Sequence, residues 1–140
     1  MGTSAAVVTL GDVAHHVGSG RRAAVGRRGE DAALRAYTDA GWVLVARNWR
    51  CRLGEIDLLL RRGRTLVVCE VKARSGSGYG GPFDAVDDRK RGKLRTLAEA
   101  FLGSRDGAAR TVGVTDVRFD VASVTISGGE ASVHVFEDAF

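Results

Sequence analysis

The chain has 140 residues, 21 Lys+Arg against 17 Asp+Glu for a formal net charge of +4, and 44% hydrophobic residues. That is one domain's worth of protein with enough apolar content for an ordinary core, which excludes a disordered tail and a disulfide scaffold. Two cysteines, Cys51 and Cys69, with three histidines fall short of the usual four-ligand zinc cluster and suit a reducing, cytoplasmic setting.

The first twenty residues carry no Lys or Arg, and the apolar stretch from Ala5 to Leu10 stops at Gly11 and Asp12. Neither a signal peptide nor a membrane span is expected. Residues 1–22 read as a flexible tail, in which the neighbouring His15 and His16 point apart rather than at one metal, and residues 23–140 as a single domain. Gly29, Ala32, Ala33, Ala36, Tyr37 and Ala40 then recur at helical spacing, predicting a helix over 25–40 that stops at Gly41. Glu30 falls at the edge of its buried face. Either Glu30 and Asp31 complement the helix dipole in a first turn, or Glu30 is placed there for chemistry.

Strands are predicted over 42–49, 54–61 and 65–73, and their short connections imply an antiparallel meander. Four glycines in the eight residues from Ser75 to Pro82 read as a mobile loop, and no Gly-Lys-Ser/Thr closes it into a nucleotide-binding loop. Asp84 offers an N-cap to a second helix, whose apolar face is Val86, Leu94, Leu97, Ala98, Phe101 and Leu102. Its other face carries Arg89, Lys90, Arg91, Lys93 and Arg95. Residues 111–126 and 131–136, broken at Ser127-Gly128-Gly129, predict a strand and a hairpin partner.

Alternation along 65–73 puts Leu66, Val68, Glu70 and Lys72 on one face and Val67, Cys69 and Val71 on the other. In the preceding strand Glu55, Asp57 and Leu59 share a face. A tight turn at Arg62-Gly63-Arg64 would set Asp57 opposite Glu70. Two carboxylates so placed repel by roughly 3 to 4 kcal/mol at an effective dielectric near 20. Such a pair calls for a cation: an oxygen-loving divalent ion such as Mg²⁺ or Mn²⁺, with Lys72 holding a water beside it, or else Lys72 or an arginine acting as a plain counter-charge.

Gly29-Glu30, Gly54-Glu55-Ile56-Asp57-Leu58 and Glu70-Val71-Lys72-Ala73-Arg74 together resemble the YraN family of small predicted endonucleases. Asp in one strand and Glu-x-Lys in the next is the mark of the restriction-endonuclease-like superfamily, and the likeness extends to archaeal-type Holliday junction resolvases. The resemblance spans about residues 24–126. It implies an α/β fold with a restriction-endonuclease-like αβββαβ core, a mixed central sheet flanked by helices, with an extra C-terminal strand here. It also implies that Asp57 and Glu70 ligate Mg²⁺ or Mn²⁺, that Glu30 is a further ligand, and that Lys72 positions a water or stabilises charge. The implied substrate is DNA, branched DNA included, and analogy with resolvases points to a homodimer without membrane attachment. Related nucleases often carry a Gln on the second helix; here that stretch reads Asp88-Arg89-Lys90-Arg91-Gly92.

Arg74 shares the face of Lys72, and with Arg89, Lys90, Arg91 and Lys93 it forms the candidate nucleic-acid grip. The competing readings are a catalytically silent nucleic-acid-binding module and a protein-interaction module. Trp42, Trp49 and Phe119 read as packing, Cys51 and Cys69 as structural, Glu55 as a supporting acid and His134 as uninvolved. The charge is uneven: residues 61–110 hold 12 Lys+Arg and 6 Asp+Glu, whereas residues 111–140 hold 1 and 5. A basic middle therefore flanks the acids proposed to converge.

Overall fold

The computed structural model describes residues 2–9, 21–76 and 88–139. In chain order the elements are β1 (Thr3–Thr9), α1 (Arg21–Asp39), β2 (Val43–Cys51), β3 (Gly54–Arg62), β4 (Thr65–Ser75), α2 (Asp88–Gly103), α3 (Arg105–Arg110), β5 (Asp116–Ser127) and β6 (Glu130–Phe136). One six-stranded sheet runs in the order β1-β6-β5-β4-β3-β2, with β4 and β5 parallel and the other neighbours antiparallel. The expected αβββαβ core with a mixed sheet flanked by helices is present, and β6 is the expected extra C-terminal strand.

Each face of the sheet carries one long helix because alternation gives each strand two apolar faces. Val67 and Cys69 of β4 join Leu58, Leu60, Ala122 and Val124 against Ala32, Ala33 and Tyr37 of α1. Leu66 and Val68 join Leu59 and Phe119 against Leu94, Leu97, Ala98 and Phe101 of α2. Trp42 meets Tyr37 edge-on at 6.0 Å, and Trp49 meets Phe101 at 5.3 Å, so both tryptophans are packing residues. Cys69 is fully buried.

The reading of residues 1–22 as a flexible tail is corrected over Thr3–Thr9, which pair with β6 from Thr3↔Phe136 to Thr9↔Glu130. Without β1 the outer edge of β6 would present unpaired backbone groups, and a segment alternating between Val8 (5% exposed) and Val7 (70%) fits there. α1 likewise starts at Arg21, earlier than predicted. The short α3 was not predicted; Ser104 caps it by accepting from the Gly107 N–H at 3.0 Å. His15 and His16, the glycine-rich loop beyond Gly76, and the cap expected at Asp84 lie outside the described residues. Among those described, no helix is long and apolar enough to cross a membrane.

Candidate active site

Three elements deliver the acids. On α1, Gly29 is buried against β4, where an added Cβ would overlap that of Ala73. This close approach brings the next residue, Glu30, to the sheet. Glu30 and Asp31 lie more than two turns into α1, so the first-turn dipole account of them does not hold. Their partners lie across the fold: Arg47 reaches Asp31 at 2.7 Å and Glu30 at 3.4 Å, and the Asn48 amide donates to Glu30 at 3.0 Å. Asn48, inside β2, adopts φ +52°, a left-handed conformation, and its amide is turned toward Glu30 of α1.

The β3–β4 ladder has the predicted register, Leu58↔Cys69, but ends there. Beyond it β4 stays paired with β5 through Ser75↔Ile126, while β3 stays paired with β2 through Cys51↔Gly54, so the two strands part. Asp57 sits in the fork. Its carboxylate accepts the Val71 N–H at 2.8 Å, standing in for the main-chain acceptor that the lost ladder no longer provides. Strict alternation does not run through Asp57 either, because Ile56 and Leu59 both pack on the α2 side.

Two groups converge on this fork. Ligand oxygens of Glu30, Glu55 and Asp57 all lie within 4.8 Å of one another. On the α2 side Glu70, 7% exposed, takes Lys90 at 2.6 Å and Lys72 at 3.4 Å on the same oxygen. Burial, then the charge of Glu70, push the Asp57 carboxyl up to about 7, against the Val71 hydrogen bond that favours its charged form. Burial and the neighbouring Lys90 ammonium hold Lys72 below its ordinary value, while the bond to Glu70 raises Lys90 despite burial. The three acids of the trio offer only carboxylate oxygens and repel one another, an arrangement that could hold a metal ion.

The structure therefore places the four expected residues in two groups, Glu30 with Asp57 and Glu70 with Lys72, linked by the effect of the Glu70 charge on Asp57. Glu55 joins the acidic trio more closely than expected, although Arg50 also holds it at 2.7 Å. Of the predicted grip, Arg89 and Lys93 are exposed, Arg74 is half-buried, and Arg91 pairs with Asp88 at 3.5 Å. Lys90 is turned inward to Glu70, and the stem of Lys93 lies over Gly54, whose φ of +144° makes the β2–β3 turn. The reading missed Arg47 and Asn48; an Asn amid strand residues, where Asn is depleted, was the available signal. Cavities of about 450 and 310 Å³ lie elsewhere, the larger between Val43–Val45, Arg61, Arg62 and Arg110 at the far end of the β2–β3 hairpin.

The family described as "Uncharacterised protein family UPF0102" matches residues 29–124, a span that holds every residue of this site. A UPF0102 protein of Acidothermus cellulolyticus is 47% identical over 108 residues, covering 74% of this chain and 82% of its own. One of Nocardia farcinica is 44% identical over 114 residues (81% and 86%), and one of Moorella thermoacetica is 43% identical over 117 (82% and 93%).

Proposed function

The chain belongs to the uncharacterised protein family UPF0102, and we propose that it is a metal-dependent nuclease hydrolysing DNA phosphodiester bonds, with branched DNA as the substrate form to test first. The observation that carries this reading is the cluster of Glu30, Glu55 and Asp57 where β3 and β4 part, with Glu70 near enough for its charge to raise the Asp57 carboxyl and with Lys72 at 3.4 Å from Glu70.

In this reading Asp57 and Glu70 hold the cation and Glu30 and Glu55 complete its oxygen shell. The bound cation would polarise a phosphate oxygen and acidify a water. Lys72, its ammonium already held below the ordinary value, holds the attacking water and offsets charge on the phosphate as the P–O bond breaks. Arg74 takes a neighbouring phosphate. The exposed Arg89 and Lys93 supply positive charge for a phosphate backbone. Two copies are expected to act together where two strands are cut, by analogy with resolvases.

The test is a cleavage screen over linear, nicked, branched and single-stranded DNA with Mg²⁺ or Mn²⁺. Asp57→Ala, Glu70→Ala and Lys72→Ala should each lower cutting by about 10²-fold or more while DNA binding persists. Cutting that survives all three changes overturns the assignment. A binding-only module is the second reading, favoured by the two lysines that already neutralise Glu70. It requires salt-sensitive binding with no metal-dependent product on any substrate.

A further inference from the structure

Lys90 stands apart from its neighbours on α2. Arg89 and Lys93 face solvent, whereas Lys90 is directed to Glu70 at 2.6 Å, closer than the 3.4 Å contact of Lys72 with the same oxygen. The two lysines differ in how they are held. Lys72 is two residues from Glu70 on the same strand, and its backbone is fixed by pairing with Ser123. Lys90 arrives from a different element at the first turn of α2, on a four-carbon stem with many rotamers. One carboxylate oxygen between two ammoniums carries less negative charge than its two partners carry positive. Asp57 lies close enough for its charge to act on Lys90 as well. A cation entering this fork must therefore compete with an ammonium already there, and the ammonium it displaces needs a new counter-charge.

We propose that Lys90 is a built-in placeholder for the cation: it pairs with Glu70 in the cation-free protein, gives up that carboxylate when a divalent ion binds, and then turns to a backbone phosphate of the nucleic acid. Lys90 is thus a positioning residue that couples the two ligands. It weakens cation binding when no nucleic acid is present, and each ligand improves the other's affinity, as linkage demands. This rests on the metal-dependent nuclease reading above.

The first experiment titrates Mn²⁺ into the protein by calorimetry, without any turnover. Lys90→Gln removes the competing charge and should tighten Mn²⁺ binding by about tenfold, the size expected for losing one charge-assisted hydrogen bond. Lys90→Arg restores a cation and should return affinity toward the starting value. Uncleaved DNA in Ca²⁺ should tighten cation binding to the unaltered chain but not to Lys90→Gln. A second measurement needs no variant: acetylation of Lys90, read by mass spectrometry, should rise several-fold when saturating Mg²⁺ is added, with the exposed Lys93 unchanged as the internal reference. If Mn²⁺ binds in a way that Glu70→Gln abolishes, yet Lys90→Gln leaves affinity unaltered and Lys90 labelling does not respond to Mg²⁺, the placeholder is overturned and the metal site stands. If no Mn²⁺ binds through Glu70 at all, the nuclease reading falls and the placeholder with it.

Discussion

Asp57, proposed as a cation ligand, is costly to the fold while it is charged. Its carboxyl is raised from 3.8 to about 7, first by burial and then by Glu70. Between those values the folded chain binds more protons at this residue than the unfolded chain does. The contribution of Asp57 to stability therefore declines as pH rises from about 4 through 7 in the absence of metal. Asp57→Asn keeps an oxygen for the Val71 N–H and removes the charge. Its midpoint of thermal unfolding in chelator should rise at pH 8, by about 3 to 5 °C for each kcal/mol recovered, and the gain should shrink at pH 5. An unchanged or lower midpoint at pH 8 would contradict the shift. Asp57 and Glu70 were legible because carboxylates inside apolar strands are chemically conspicuous. Asn48 and the inward turn of Lys90 were not, since each depends on a neighbour from another element, α1 for one and β4 for the other.

At the scale of elements, the Gly29-Glu30 pair has a steric explanation. A side chain at position 29 would run into Ala73, so glycine lets α1 lie directly on β4 and carries Glu30 to the fork. Gly29→Ala should destabilise the protein by about 1 to 3 kcal/mol through overpacking, measured by urea unfolding. Adding Ala73→Gly should recover a substantial part of that loss, and additive losses in the double variant would rule out the contact as the cause. The β3–β4 register was legible because a two-residue turn fixes it. The fork was not, because it arises from β4 following β5 while β3 follows β2, a competition between partners distant in the chain.

Across the whole molecule, a fully buried Asp120 ties the C-terminal segment to the core. It accepts from the Tyr37 hydroxyl at 2.7 Å, from Arg118 twice at 2.9 Å and from the Asp138 N–H at 3.0 Å. Arg118 and Arg62 in turn lie over the Trp42 ring at 5.0 and 4.5 Å. Asp120→Ala leaves buried donors without an acceptor and should cost about 3 to 5 kcal/mol, read as a lower urea midpoint. The molecule's charge layout predicts a second behaviour. If the exposed Arg89 and Lys93 contact phosphates, replacing either with Ala should weaken DNA binding and lower the slope of log K against log salt by about 1. An unchanged slope would remove that residue from the interface.

Residue periodicity by itself determined the two long helices, the meander and the β3–β4 register up to Leu58↔Cys69, because these depend on local spacing and one tight turn. It could not reveal β1, whose short segment becomes a strand only when β6 offers an edge more than 120 residues later in the chain. Nor could it sort the cations. Arg89, Lys90, Arg91 and Lys93 form one basic run in the sequence, and only the packing of α2 beside β4 decides that Lys90 answers the charge of Glu70 while Arg89 and Lys93 face water. A charge's role depends on what opposes it, and that opposing group is supplied by tertiary structure.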